Sequence, residues 1–183
     1  MEKLDLYDID FIKTGEIADR NTPIPKGRFR MVVHACIFNN KGQMLIQQRQ
    51  SFKKTWANLW DISVGGSSQA GENPRQSIHR EVQEELGLDI NFDNIRPHLT
   101  VHFSSGMDHY FLVNKDVDVS NLPEKEWATT GTGMKRKKNI INSLFLEASE
   151  LEKLVLERQE RYEKIAKNEV RYEAVDTEDA DII

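Results

Sequence analysis

The chain has 183 residues, 38% of them hydrophobic and 30% charged, with a formal net charge of −5. That size suits one domain with a substantial core, and no apolar run nears the roughly 20 residues of a membrane span. The negative balance argues against a nucleic-acid polymer or an anionic membrane as partner, and a single cysteine, Cys36, excludes an internal disulfide framework.

Residues 1–28 read as an N-terminal arm. Its start, Met1 to Phe11, is acidic and lacks the basic-then-apolar order of a signal peptide, so a cytoplasmic setting is expected. Thr22-Pro23-Ile24-Pro25-Lys26-Gly27 reads as a turn or extended linker. A domain is expected over 29–170, followed by an acidic tail at 171–183. Met31–Phe38 is a nearly continuous apolar run that predicts a buried strand, with Cys36 a small core residue and His34 a hydrogen-bonded one. Asn39-Asn40-Lys41-Gly42 is a hairpin signal, and Met44–Arg49 returns as the partner strand. Asp61–Val64 predicts a short strand leading into a glycine-containing loop.

The helix after that loop has marked ends. Asn73 suits the N-cap, Pro74 the first helical position, and Gly87 the left-handed position past the end. Ile78, Val82 and Leu86 form a core-facing stripe, and Glu81, Glu84 and Glu85 fall within an arc of about 100° beside it. Leu99–Phe103 and His109–Val113 predict a second hairpin around Ser104–Asp108. The segment from Asp116 to Asn139 reads as irregular. Its basic run Lys135-Arg136-Lys137-Lys138 is either a solvated loop, the preferred reading, or a lid over anionic substrate. Ser143–Leu146 predicts a last strand. A final helix is expected to bury Leu151, Leu154, Val155, Tyr162 and Ile165. Strands interleaved with two helices indicate an α/β fold with a mixed sheet between helical layers.

Clustered carboxylates repel one another unless a cation sits among them, and hard oxygen ligands suit magnesium or manganese. The acids of the helix therefore point to a divalent metal held against a phosphate. The surrounding residues carry a motif. With x for any residue and U for a bulky aliphatic one, Gly66, Glu72, Arg80, Glu81, Val82, Glu84, Glu85, Gly87 and Leu88 fill all nine fixed positions of G-x5-E-x7-R-E-U-x-E-E-x-G-U. A chance match is on the order of 10^-9 per starting point at ordinary residue usage. The chain resembles the Nudix hydrolases, whose box this is.

The resemblance implies an α/β/α sandwich and metal-dependent cleavage of a diphosphate linkage, in a nucleoside diphosphate joined to another group or a similar small organic pyrophosphate. It implies metal ligation by Glu81, Glu84, Glu85 and the Gly66 carbonyl, and a scaffolding pair of Arg80 with Glu72. A guanidinium fork matches a carboxylate at two points, which gives that pair a physical basis. The general base is expected to be Glu81 or a water activated by the cation; Glu124 and Glu126 have weaker support. The solvated-face reading of the acids is disfavoured by the complete box.

Trp56-Ala57-Asn58-Leu59-Trp60 followed by Asp61-Ile62-Ser63-Val64-Gly65-Gly66 is similar to the active-site approach of type I isopentenyl diphosphate isomerases. Those enzymes need a cysteine where this chain has Gly65, and metal histidines where it has Ser67 and Arg30. The departures point towards hydrolase. Isomerase-like chemistry and a non-catalytic ligand-binding Nudix domain are the rivals. Arg49 could reach a phosphate, or form a surface ion pair. Trp56 and Trp60 could flank the substrate; the preferred alternative is Trp60 in the core and Trp56 packed on the surface. The expected partner is a phosphorylated small molecule, and a homodimer is an open possibility.

Overall fold

A computed structural model describes residues 2–50, 58–122, 128–129, 135–136, 140–151, 153 and 156, without the side chains of 128–129, 135–136 and 140–144. Trp56, Glu124, Glu126, Lys137, Lys138, Leu154, Val155, Tyr162, Ile165 and the tail lie outside the described residues. In chain order the strands are β1 (Lys3–Tyr7), β2 (Lys13–Asp19), β3 (Arg30–Phe38), β4 (Met44–Arg49), β5 (Trp60–Asp61) and β6 (Val64–Ser67). Helix α1 (Pro74–Leu86) follows, then β7 (Leu99–Phe103), β8 (Gly106–Asn114), β9 (Ala128–Thr129), β10 (Lys135–Arg136) and β11 (Ile140–Leu146). A helical segment begins at 148. No described helix is long and apolar enough to cross a membrane.

The main sheet runs β11-β4-β3-β8-β7, with β5 added to β4 and β6 added to β3. β3 and β8 are parallel and the other pairs antiparallel, so the sheet is mixed, as the α/β expectation requires. Met31, Val33, Ala35 and Ile37 alternate onto one face of β3 and join Ile78, Val82 and Leu86 of α1 in the core. Those three helix residues are at most 1% exposed, which stabilises the helix–sheet contact by about 1.5–3 kcal/mol each. The alternate residues Arg30, Val32, His34 and Cys36 are buried as well, which accounts for the unbroken apolar character of this strand.

The hairpin between β3 and β4 opens almost at once, since Phe38 and Met44 are their one paired position. The edge of β3 thus freed is taken by β6, with Val32 to Ala35 opposite Ser67 to Val64. Ser63 stands at the fork. Its hydroxyl accepts from Ile37 N–H at 2.8 Å and donates to the Leu45 carbonyl at 2.5 Å, bridging the parted strands. The expected single strand over Asp61–Val64 is therefore two, β5 on β4 and β6 on β3, with Ser63 at the break.

The N-terminal residues form the β1–β2 hairpin, with Leu4, Leu6 and Tyr7 buried. This hairpin grips the loop before α1. Ala70 N–H donates to the Lys3 carbonyl at 2.7 Å and Gly71 N–H to the Asp5 carboxylate at 2.8 Å. Lys13 Nζ joins Asp5 at 2.5 Å and the Glu72 carbonyl at 2.8 Å. Gly71 sits at φ +89°, a conformation that a side-chain-bearing residue rarely adopts.

Candidate functional site

Helix α1 forms where its caps predict. The Asn73 side chain accepts from the N–H groups of Arg75 and Gln76 at 3.0 and 3.1 Å, and Gln76 reaches back to Asn73 N–H at 2.9 Å. Gly87 ends the helix at φ 67°. Both ends being fixed, the acids and Arg80 are delivered at a defined height and rotation against β6.

Arg80 and Glu72 make the two-point contact expected of them. Nε lies 2.7 Å from Glu72 Oε1 and Nη2 3.0 Å from Oε2. The remaining reach of the guanidinium goes to the Ser67 carbonyl at 3.1 Å, to Glu81 Oε1 at 2.7 Å and to Glu84 Oε2 at 3.5 Å. Glu72 also accepts from Gln69 N–H at 2.9 Å and Ser77 Oγ at 2.8 Å. Burial opposes its ionisation, yet the Arg80 fork and these two donors outweigh burial and hold its carboxyl below the usual range. The same balance, burial against Glu72 and Glu81, holds the Arg80 guanidinium charged.

The three helix glutamates do not share one environment. Glu84 is exposed. Glu81 is only 7% exposed, so part of the expected carboxylate arc points into the protein. Burial pushes its carboxyl above the ordinary value, while Arg80 pulls it down and Glu84 adds repulsion. Glu85 is half-buried and is pushed up to about 8, first by desolvation, then by the neighbouring charges of Glu81 and Asp61. The Gly65 N–H and the Arg49 charge act in the opposite direction without balancing them. Such a crowded pair of carboxyls favours a proton or a cation over two bare charges.

Gly66 lies on β6 against Glu81. A Cβ there would overlap the Glu81 carboxylate, so glycine is what lets the strand backbone approach this acid. Asp61 and Gln47 face each other across β5 and β4. Gln47 Nε2 donates to the Ser63 carbonyl and lies 3.4 Å from Glu85 Oε2. Neither was singled out in the sequence, because only the β4–β5 register brings them to Glu85. Arg49 is on the same face of β4 as Gln47, close enough to act on Glu85. Trp60 is partly buried and pairs with Gln48, one residue out of phase with Asp61, which places it on the other face of the sheet from Glu85.

Glu72, Arg80, Glu81, Glu84 and Gly66 thus come together, with Glu85 beside them and Arg49 at the border. Among the described residues, no three His, Cys, Asp or Glu side chains are already arranged to hold a metal ion. Arg80 Nη1 lies between Glu81 and Glu84. The donor set still fits a hard cation that keeps several of its waters. It needs few protein oxygens, and the carboxyls of Glu85 and Glu81 beside the β6 backbone offer oxygen donors of that kind.

A family model for the NUDIX domain matches residues 28–165. The chain belongs to the Nudix family. This Nudix chain is 44% identical over 122 residues to an uncharacterised Nudix hydrolase of Listeria innocua, covering 67% of the chain and 72% of that protein. It is 35% identical over 96 residues to a Nudix hydrolase of Deinococcus radiodurans, covering 52% of the chain and 56% of the relative. It is 30% identical over 89 residues to isopentenyl-diphosphate Δ-isomerase of Escherichia coli, covering 49% of each. Its fold is shared with the crystal structure of a Deinococcus radiodurans protein, with a TM-score of 0.56, 24% identity and coverage of 82% and 86% of the two chains. The Nudix fold and a Nudix-type pyrophosphohydrolase activity follow from the family.

Proposed function

We propose that this Nudix protein uses magnesium or manganese to cleave a diphosphate linkage in a nucleoside diphosphate joined to another group, or in a similar small organic pyrophosphate. The observation that carries the reading is Glu85, half-buried on α1 next to the buried Glu81, whose carboxylate lies against the Gly66 backbone. A carboxyl crowded by other acids, on the helix that carries a full box, is suited to capturing a divalent cation.

Glu85, Glu81 and the Gly66 carbonyl would hold the ion, with Glu84 reaching it once released from Arg80. When bound, it neutralises the phosphoryl oxygens and makes its coordinated water more acidic. Glu72 and Arg80 set the loop. Their fork ties the loop to α1, and Arg80 Nη1 aims the Glu81 carboxylate. The base role falls to Glu81 or to a hydroxide that the bound cation would supply. The new P–O bond forms as the bridging P–O bond breaks, and the departing phosphate oxygen leaves with the electron pair. Arg49, on the Glu85 face, would meet a phosphate; Trp60, on the other face of the sheet, is a packing residue in this reading.

The isomerase reading is weaker. A side chain at Gly65, where isomerases carry cysteine, would meet His34 Nδ1 at 2.6 Å. A binding-only domain is disfavoured by the complete acid set. The test is phosphate release from nucleoside triphosphates, dinucleotides, nucleotide sugars, coenzyme A and isoprenoid diphosphates, with magnesium and with manganese, for wild type and Glu85→Gln. Turnover lost in the variant supports the reading and names the substrate class. Isomerisation without phosphate release, or silence across the panel, counts against it.

A further inference from the structure

The sheet face away from α1 holds a buried pair that the reaction above does not use. His34 on β3 and Asp108 on β8 are 4% and 1% exposed. Their Nε2 and Oδ1 lie 3.0 Å apart. Tyr110 stacks on the imidazole, with ring centroids 4.7 Å apart and planes 19° from parallel. Nε2 faces the Asp108 carboxylate, so the other ring nitrogen, Nδ1, is turned away from it. That Nδ1 is buried and has no hydrogen-bond partner among the described residues.

What Nδ1 faces is Gly65. His34 and Gly65 are opposite one another on β3 and β6. A Cβ on Gly65 would stand 2.6 Å from Nδ1 and 3.1 Å from Cε1. On the next residue the direction alternates, and a Cβ on Gly66 would run into Glu81 instead. The two glycines are thus bare backbone held between an imidazole on one face and a carboxylate on the other. The same strip sends the Gly65 N–H to Glu85. A shift of Gly65 towards the space under it would withdraw that N–H and move the Gly66 carbonyl.

We propose that His34, fixed by Asp108 and Tyr110, is a positioning residue that sets the height of the Gly65–Gly66 backbone and thereby the Gly65 N–H on Glu85 and the cation affinity of the acid cluster. The proposal rests on the cation-dependent reading. It explains why position 65 is glycine in a strand, where glycine is otherwise unfavourable. It also explains why β8 begins with an acid in its buried stretch.

The experiment uses the full chain. Manganese binding is followed by electron paramagnetic resonance, and the Gly65 amide by its nitrogen–proton NMR signal in metal-free protein. His34→Ala should weaken manganese binding about tenfold, the usual scale for loss of a group that orients a metal ligand, and should move the Gly65 signal. His34→Asn, whose amide places a polar atom near the Nδ1 position, should recover most of both. Gly65→Ala should weaken binding at least as much as His34→Ala, and adding His34→Ala to Gly65→Ala should restore affinity by making room. A His34→Ala protein that loses thermal stability but keeps manganese affinity and the Gly65 shift would reduce His34 to packing and overturn the proposal. So would purely additive losses in the double variant. If wild type binds no manganese, the cation reading falls, and the Gly65 shift alone then decides: unmoved in His34→Ala, it overturns the positioning too.

Discussion

Arg80 is the joint between loop, helix and acid cluster, so its removal tests the arrangement as a whole. Its guanidinium contacts two oxygens of Glu72, the Ser67 carbonyl, Glu81 and, more distantly, Glu84. Arg80→Ala leaves Glu72 and Glu81 without their cation, at side-chain exposures of 19% and 9%. Breaking a buried ion pair from one side costs about 3–5 kcal/mol. Because Arg80 and Glu72 keep some contact with water, the lower end applies, about 3 kcal/mol. Arg80→Lys keeps the charge but not the fork. An ammonium cannot span Glu72, Ser67 and Glu81 together, so about half that loss is expected, roughly 1.5 kcal/mol. Urea denaturation reads both values. At a slope of about 2 kcal/mol/M, the alanine variant should shift its midpoint down by about 1.5 M. A double-mutant cycle with Glu72→Gln should return a coupling of about 2 kcal/mol. A loss below about 1 kcal/mol for Arg80→Ala, or additive effects with Glu72→Gln, would refute the idea that this fork holds the loop to the helix.

Glu85 makes stability depend on pH in a definite direction. Its folded value of about 8 lies above its ordinary 4.5, so between those values the folded chain binds more proton than the unfolded one. The contribution of Glu85 to stability in EDTA should therefore be fully present below about pH 4.5 and be lost as pH rises to about 8. Glu85→Gln should flatten that slope in thermal melts. Asn73→Ala removes the acceptor for the N–H groups of Arg75 and Gln76 and should cost about 1 kcal/mol in urea midpoints. Asp5→Ala removes the acceptor of the Gly71 N–H and the partner of Lys13. It should cost about 1–2 kcal/mol and speed hydrogen exchange at Gly71, which an unchanged exchange rate would contradict.

Helix α1 was legible because everything that defines it is local. Asn73, Pro74 and Gly87 mark the ends, and Ile78, Val82 and Leu86 repeat at the helical period. Box residues within that stretch are placed by the same regularity. What the sequence hid depends on pairing between distant segments. Strand β8 starts at Gly106, where a turn was expected through Asp108, because a glycine and an acid read as turn residues. Asp108 is instead a strand residue whose charge faces His34. Asp61 and Gln47 meet only through the β4–β5 register, and Ser63 acts only because β3 and β4 part. The β1–β2 hairpin within residues 1–28 leaves little mark in the sequence, because β2 is mostly exposed and interrupted by Gly15 and lacks the apolar alternation of a strand. Its grip on the loop at 70–72 comes from backbone atoms and two charged side chains, which leave no pattern in sequence.

That Glu85 and Glu81 capture a divalent cation is tested most directly by titrating manganese into the metal-free protein at pH 7 and measuring heat and proton release together. With Glu85 protonated below about pH 8, wild type should release close to one proton per ion bound, and Glu85→Gln should bind at least tenfold more weakly without that release. Equal affinity in the two proteins, or binding by wild type with no proton released, would contradict a cation site built on Glu85.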